Sequence, residues 1–286
     1  MTLAGPEWVH IKGAEDAVRA YRLVAVGSPN GLTGRAEAGL VGRRWEIAAL
    51  DATVDRAVAG HGGVVNVVGP PGIGKSRIAR EAAALAAEHG VAVVWAFCES
   101  HARDIPFHAV GQLLRTALDV DGINSVVARA KVRQRIPAAA PGDLLLLDDL
   151  LGIADTDVPL PQLDPDTRRR RLTALINGMS LARTQPVLFV IEDVHWIDAV
   201  SESMLAEFLT VIPSTPSMVL ITSRPEYDGA LSGVDGAHAV TLGPLGDSDI
   251  AVLLAELLGR DPSVGALSPV IAERAAGNPF FAQERV

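Results

Sequence analysis

Residues 69–76 read Gly-Pro-Pro-Gly-Ile-Gly-Lys-Ser, and every fixed position agrees with the phosphate-loop pattern G-x-x-x-x-G-K-[ST]. An apolar run at 64–68 precedes this stretch, and a helical pattern follows it. Glycines let such a loop curl so that its backbone N–H groups point at an anion, and the next helix adds its N-terminal donors. The stretch therefore predicts a strand, a phosphate-binding loop and a helix. The loop residues expected to bind phosphate are Gly69, Pro70, Pro71, Gly72, Ile73, Gly74, Lys75, Ser76 and Arg77.

Two residues at the end of the motif have separate chemical tasks. Lys75 supplies a positive charge for the β- and γ-phosphates of a nucleotide, and the Ser76 hydroxyl is a ligand for Mg²⁺. The alternative is a Gly- and Pro-rich loop that only joins a strand to a helix. Agreement at all the constrained positions favours the phosphate loop.

Five Val- and Ile-rich runs alternate with amphipathic helical patterns, as in a sheet built from βα units. We therefore predict an α/β fold of the P-loop NTPase type, in which helices enclose a mostly parallel five-stranded sheet and a partial helical lid follows. The predicted strands are Val64–Val68, Val91–Phe97, Val187–Ile191, Met218–Thr222 and Ala237–Leu242. The predicted helices are 75–89, 144–151, 250–258, 269–276 and a segment that starts at Asp164-Pro165-Asp166.

A phosphate loop needs an acidic strand end that organises Mg²⁺. Two segments end in acids, namely Leu144–Asp149 and Val187–Asp193. Four consecutive leucines favour a helix, whereas Val, Phe and Ile favour a strand, so we assign the site to the second segment. Glu192 is then the candidate on the metal side, and Asp193 is the candidate that orients or deprotonates the attacking water, although both can serve the metal. This order is the reverse of the common Asp-Glu pair, and the two acids could instead cap the next helix.

Arg224 follows the predicted strand 218–222. Ligands of open parallel sheets collect beyond the carboxyl ends of the strands, so this guanidinium is placed to sense a γ-phosphate. A surface arginine at a strand end is the alternative. His195, which follows the acidic pair, has either a packing role or a role in positioning water.

Composition limits the possible partners of the chain. The 286 residues carry a formal net charge of −9, which disfavours a broad nucleic-acid surface. A single cysteine excludes an internal disulfide framework. The sequence contains no export signal and no apolar run of the ~20 residues that span a bilayer. We expect a cytoplasmic protein without membrane contact.

Several motifs together resemble those of STAND-type signal-transduction ATPases, which are relatives of the AAA+ proteins. The phosphate loop is joined by Val-Ile-Glu-Asp-Val-His-Trp-Ile-Asp at 190–198 and Ile-Thr-Ser-Arg-Pro at 221–225. Leu-Val-Gly-Arg-Arg-Trp-Glu at 40–46 resembles the box near the adenine, and Gly-Asn-Pro-Phe at 277–280 resembles the Gly-x-Pro motif of the lid. The resemblance implies ATP and Mg²⁺ as cofactors, with Val41, Gly42, Arg43 and Pro279 at the nucleotide.

Residues 7–26 resemble the last strands of a class III nucleotide cyclase, as in bacterial proteins that carry a cyclase before the ATPase. The paired metal-binding aspartates of a cyclase are missing, so we expect no cyclase activity. The resemblance implies a cyclase remnant at 1–26, a linker at 27–39, a P-loop NTPase domain at 40–243 and a truncated helical lid at 244–286.

The resemblance implies a regulatory module that binds ATP, hydrolyses it slowly and switches between ATP and ADP states. Such a module would belong to a regulator of the cyclase or transcription-factor type, with self-association or downstream regulatory domains as its partners. The alternatives are a nucleotide-binding scaffold without turnover and a P-loop kinase.

Two further clusters have simpler explanations. Cys98, Glu99, His101 and His108 fit no usual zinc spacing, so a loop between strand and helix is favoured over a metal site. Four arginines at 168–171 fit the solvated face of a helix, with a trans-acting arginine finger as the alternative.

Overall fold

A computed structural model describes residues 2–9, 18–25, 39–259 and 267–284. The chain divides into two compact units, Met1–Gly39 and Leu40–Val286. In the first unit, β1 (Thr2–Val9) pairs with β2 (Val18–Ala25) in an antiparallel sheet. The predicted linker lies outside the described residues except for Gly39.

The second unit is built on five parallel strands in the order β4-β5-β6-β3-β7. The phosphate-loop strand β3 is therefore inside the sheet, and β6 lies between it and the acidic strand β5. The five predicted strands and their parallel arrangement are confirmed, with small changes at the ends. The strands are β3 (Gly63–Val68), β4 (Ala92–Phe97), β5 (Val187–Glu192), β6 (Ser217–Ser223) and β7 (His238–Thr241).

Helices cover both faces of this sheet. The bounds are α1 (Arg44–Val58), α2 (Lys75–Glu88), α3 (His108–Leu118), α4 (Ser125–Arg135), α5 (Pro141–Leu150), α6 (Pro165–Leu181), α7 (Ala199–Val211), α8 (Asp247–Leu258), α9 (Leu267–Ala275) and α10 (Pro279–Glu284). A 3₁₀ turn, Val194–Trp196, follows β5. None of the helices in the described ranges is long and apolar enough to cross a membrane.

The core is divided by the sheet because successive strand residues point to opposite faces. Val65 and Val67 pack with Leu188 and Val190 against α1 and α2. Val64 packs in a second cluster, which contains the other faces of β5 and β6 and residues from α3 to α7. Strands buried on both faces explain why the predicted runs are continuous rather than alternating.

The competing acidic segment, Leu144–Asp149, lies in α5, as the leucine run predicted. Asp148 is buried and accepts hydrogen bonds from Arg133 at 2.7 and 3.3 Å. Asp149 forms an ion pair with Arg168 at 2.5 Å. Both carboxylates therefore stabilise helix packing and lie on an element other than the acidic strand.

Candidate nucleotide-binding site

The phosphate loop joins β3 to α2. Gly72 and Gly74 have φ angles of 76° and 103°, values that favour glycine, and Gly74 is the N-cap of α2. Lys75 is buried, and its Nζ donates hydrogen bonds to the carbonyls of Gly69 at 2.9 Å and Pro70 at 3.2 Å. Burial lowers the pKa of the Lys75 ammonium group, while the negative charges of Asp193 and Glu192 act in the opposite direction.

Ser76 and Glu192 meet across the site, since the Ser76 Oγ donates a hydrogen bond to Oε2 of Glu192. Glu192 is only 5% exposed. Burial raises the pKa of its carboxyl group, and the hydrogen bond from Ser76 opposes that effect. A buried carboxylate therefore faces the first residues of α2.

This oxygen pair fits Mg²⁺, which takes one or two protein ligands and completes its shell with water and substrate phosphates. No group of three or more His, Cys, Asp or Glu side chains in the described ranges has the arrangement of a metal site. A P-loop site does not need such a group because the nucleotide provides further oxygens. Two of the three predicted metal ligands, Ser76 and Glu192, are therefore in contact, and the role of Ser76, Glu192 and Asp193 at a metal stays a prediction.

Asp193 has different surroundings from its neighbour. Its φ of 57° lies in the left-handed region, and its backbone N–H donates to the Thr222 Oγ1 at 2.9 Å. The Asp193 side chain is 44% exposed, and its Oδ1 lies 3.8 Å from Nδ1 of His195. The two predicted acids thus separate into one carboxylate that contacts Ser76 and one that is open to solvent.

Arg224 is half-buried and directly follows β6. Its guanidinium carbon lies 5.7 Å from the centre of the Trp196 ring, a cation–π contact. The imidazole of His195 contacts the same indole, with 5.2 Å between ring centres. Burial lowers the pKa of His195, and neither of its ring nitrogens has a hydrogen-bond partner among the described residues. These contacts support packing as one role of His195.

The Val-Gly-Arg box lies beside the phosphate loop. Arg43 is buried and donates to the carbonyls of Gly243 at 2.6 Å and Ile73 at 3.5 Å. The box and α8 together line a pocket of about 600 Å³. Arg43 therefore binds backbone of its own chain, while Val41 and Gly42 border the pocket.

The Gly-Asn-Pro-Phe segment contacts the phosphate loop directly. The Asn278 Nδ2 donates to the Pro71 carbonyl at 3.0 Å, and the Phe280 N–H donates to the Gly72 carbonyl at 3.2 Å. A Cβ atom added to Gly72 would lie 2.8 Å from both the Asn278 Oδ1 and the Phe280 Cβ. Pro279 lies between these two contact residues and begins α10.

Sequence analysis missed Thr222, Asp198 and Asn278 as residues that shape the site. Asp198 is buried and accepts hydrogen bonds from the N–H groups of Phe107 at 2.9 Å, Ala109 at 3.3 Å and Ser201 at 2.8 Å. An aspartate before a helix is a visible N-cap signal for α7. No local sequence pattern predicts the hydrogen bonds between Asp198 and the start of α3.

The remaining predicted residues lie on the surface or in structural contacts. Arg77 forms an ion pair with Glu81 along α2 at 2.8 Å. Three members of the arginine run form ion pairs within the chain. These pairs agree with a solvated helix face and disfavour a trans-acting arginine finger at those three positions. The pairs are Arg168 with Asp149, Arg169 with Glu207 and Arg171 with Asp143.

A family model for the AAA ATPase domain matches residues 39–221, which is more than half of the chain. The chain belongs to the AAA ATPase domain family. The match starts at residue 39, so it does not include the N-terminal strands, and the cyclase remnant has no support from it.

A relative of this AAA ATPase domain has low sequence identity to the chain. An uncharacterized protein of Rhizobium meliloti (strain 1021) is 26% identical over 258 residues, which cover 88% of this chain. They cover 25% of the relative, so the chain spans about a quarter of that protein's length.

Two solved structures are similar to this chain, and the first of them shares its fold. A structure of Drosophila ORC bound to DNA has a TM-score of 0.52 and 14% identity, and covers 88% of this chain and 56% of its own. A signal-transduction ATPase with numerous domains from Pyrococcus horikoshii, which carries a tetratricopeptide repeat sensor, has a TM-score of 0.46 and 18% identity. That match covers 86% of this chain and 29% of the other.

Proposed function

We propose that this AAA ATPase domain binds ATP with Mg²⁺, hydrolyses it slowly and acts as a nucleotide-dependent switch in a regulatory protein. The observation that carries the proposal is the convergence of Lys75, the Ser76–Glu192 pair and Asp193 at the ends of β3 and β5. A cation for phosphate, a metal-ligand pair and an exposed carboxylate are the groups that phosphoryl transfer to water requires.

Each residue has a role in this proposal. Lys75 would bind the β- and γ-phosphates, for which it would exchange its bonds to the loop carbonyls. Ser76 and Glu192 would hold Mg²⁺, which supplies positive charge beside those phosphates. Asp193 would orient or deprotonate the attacking water. Arg224, held against Trp196, would contact the γ-phosphate through its planar donors.

The base would occupy the pocket of about 600 Å³ beside the Val-Gly-Arg box. Arg43 joins this box to the phosphate loop through the Ile73 carbonyl, which supports a base site next to the proposed phosphate site. Preference for adenine follows from the resemblance to STAND-type ATPases and is part of the proposal.

The contacts of Asn278 and Phe280 with the loop support a switch. A ligand shifts a conformational equilibrium only when its contacts differ between the two states, and a lid that rests on the phosphate loop can provide such a difference. Several expectations from the sequence stay predictions. Two concern partners, namely self-association and further regulatory domains. The others are the cyclase context, the domain boundaries, the cytoplasmic location and the absence of direct nucleic-acid contact.

Phosphate release tests the enzymatic part of the proposal. The wild type should release phosphate from ATP, while Lys75→Ala and Asp193→Asn should lower the rate at least about tenfold, because each removes a group that acts on the reacting phosphate or water. Asp228→Asn, an exposed carboxylate change after β6, is the matched control and should keep the wild-type rate.

Nucleotide binding, measured together with turnover, distinguishes the proposed ATPase from a scaffold and from a kinase. Thermal unfolding is measured with ATP, ADP and GTP, each with and without Mg²⁺, since a ligand of the native state raises the melting temperature in proportion to the logarithm of its concentration near saturation. Tight ATP binding without turnover under any condition would support a scaffold instead. Transfer of phosphate to a metabolite would support a kinase.

A further inference from the structure

The end of β6 is bonded to the elements on both of its sides. The Ser223 carbonyl accepts a hydrogen bond from the Gly69 N–H at 3.2 Å, at the first residue of the phosphate loop. The Thr222 Oγ1 accepts a hydrogen bond from the Asp193 N–H at 2.9 Å, at the residue after β5. Two consecutive residues therefore fix the loop and the acidic segment relative to each other.

The Thr222 hydroxyl continues the sheet where the backbone pairing stops. Ile191 and Ile221 form the last residue pair between β5 and β6. Beyond them, the Asp193 N–H would have no strand carbonyl to bond, and the side chain of Thr222 supplies the acceptor instead. Thr222 is fully buried, so water does not compete for this bond.

The same bond holds Asp193 in an uncommon backbone conformation. A φ of 57° is rare for residues with a side chain, although Asp tolerates it better than most. Such conformations persist when the surroundings determine them, and they often occur at functional sites. The Asp193 carbonyl then accepts from the Trp196 N–H at 2.9 Å, which forms the turn that carries Trp196 to Arg224.

We propose that Thr222 is a positioning residue, whose hydroxyl fixes the backbone of Asp193 and thereby the direction of its carboxylate toward the attacking water. This inference rests on the proposed function of Asp193. Asp193 directly follows Glu192, which accepts the hydrogen bond from Ser76, so a change in the backbone at Asp193 would alter the geometry of the reacting groups.

The test compares two substitutions of Thr222 that separate shape from hydrogen bonding. Thr222→Val keeps the shape and removes the acceptor, whereas Thr222→Ser keeps the acceptor and removes a methyl group. Ser217→Ala is the control on the same strand, since Ser217 is also fully buried and its Oγ has no hydrogen-bond partner among the described residues. Thr222→Ala replaces the Val variant if that protein does not fold.

We expect Thr222→Val to lower kcat for ATP hydrolysis about 10- to 100-fold, because small misplacements of reacting groups have effects of that order. The Kd for ATP should stay within about twofold of the wild type, since binding depends mainly on the loop and Lys75. Thr222→Ser and Ser217→Ala should keep kcat within about threefold. Amide hydrogen exchange of a peptide that spans 190–197 should be faster in Thr222→Val than in Thr222→Ser.

Two results would overturn the inference. They are a wild-type kcat in Thr222→Val, whether or not the Kd for ATP is raised, and an equal loss of kcat in Thr222→Ser. A wild type that does not hydrolyse ATP would overturn the proposed function and the catalytic role of Thr222 together. The exchange measurement would still decide whether the hydroxyl holds the Asp193 amide, so the two failures can be distinguished.

Discussion

Glu192 and Asp193 are neighbours in the chain, but their environments differ. Glu192 is buried and bonded to Ser76, whereas the Asp193 side chain is 44% exposed in a left-handed turn. Burial raises the pKa of a carboxyl group because it penalises the charged form. The division of roles that we propose for the two acids therefore has a physical basis in their burial rather than in their chemical type.

Glu192→Gln should stabilise the protein without nucleotide or Mg²⁺ at neutral pH. The folded-state pKa of Glu192 is raised, so the folded state binds more protons than the unfolded state between the two pKa values. The stabilisation from the protonated carboxyl is therefore complete below the unfolded pKa of about 4.3 and is lost as the pH rises through the folded pKa. Gln has no charge to bury and avoids this loss.

The measurement is urea unfolding from pH 4 to 8. Glu192→Gln should match the wild type at the acidic end and should have the larger free energy of unfolding at neutral pH. Glu88→Gln, an exposed change at the end of α2, is the control and should follow the wild type throughout. An equal difference at all pH values would contradict the role of ionisation, and a less stable Glu192→Gln at neutral pH would contradict its sign.

Among the elements, α3 and α7 share one carboxylate as the acceptor for N–H groups at their N-termini. Asp198 is the N-cap of α7 and also accepts two N–H groups at the start of α3. Ser201 adds a fourth contact, because its Oγ accepts the Val110 N–H at 3.1 Å. These bonds fix the helix that follows β4 against the turn that follows β5.

Asp198→Ala should lower the free energy of unfolding by about 2–4 kcal/mol, because it leaves three backbone N–H groups without an acceptor in a buried position. Asp164→Ala is the matched control, since Asp164 caps α6 at the surface through one bond to the Thr167 N–H. That change should cost only about 1 kcal/mol. Chemical denaturation measures both, and equal costs would contradict the double cap.

Local sequence patterns predicted some of the helices and strands and not others. The strands were predicted because each run is Val- or Ile-rich, and β5 and β6 are buried along their whole length. The sequence analysis made no prediction for α1, α4 and α10. In α4, Val126 and Val127 are both exposed, so its apolar residues do not mark one buried face. A six-residue helix such as α10 is too short to produce a periodic pattern.

At the scale of the molecule, the helical lid and the phosphate loop are in contact. Asn278 and Phe280 bond to loop carbonyls, and the Gly277 carbonyl accepts the Leu245 N–H at 2.8 Å. This contact therefore depends on the conformation of the loop that we propose to bind the phosphates. In the proposed switch, this contact would connect the nucleotide-binding loop to the C-terminal helices.

Asn278→Ala should speed the release of bound ADP about 3- to 10-fold, because it removes a hydrogen bond between the lid and the loop, and such a bond contributes about 0.5–1.5 kcal/mol. Stopped-flow displacement of a fluorescent ADP analogue measures this rate. Glu273→Ala, an exposed change on α9, should leave it unchanged. An unchanged rate in Asn278→Ala would show that this contact does not retain the nucleotide.

The sequence by itself determined the phosphate loop, the five strands and the candidate acids, since each depends on residues close together in the chain. Only the tertiary structure decided which groups meet. Asp193 bonds to Thr222 across 29 positions, Phe107 to Asp198 across 91, and Asn278 to Pro71 across 207. Such pairs leave no periodic signal, because the packing of strands and helices, rather than local propensity, brings their atoms within bonding distance.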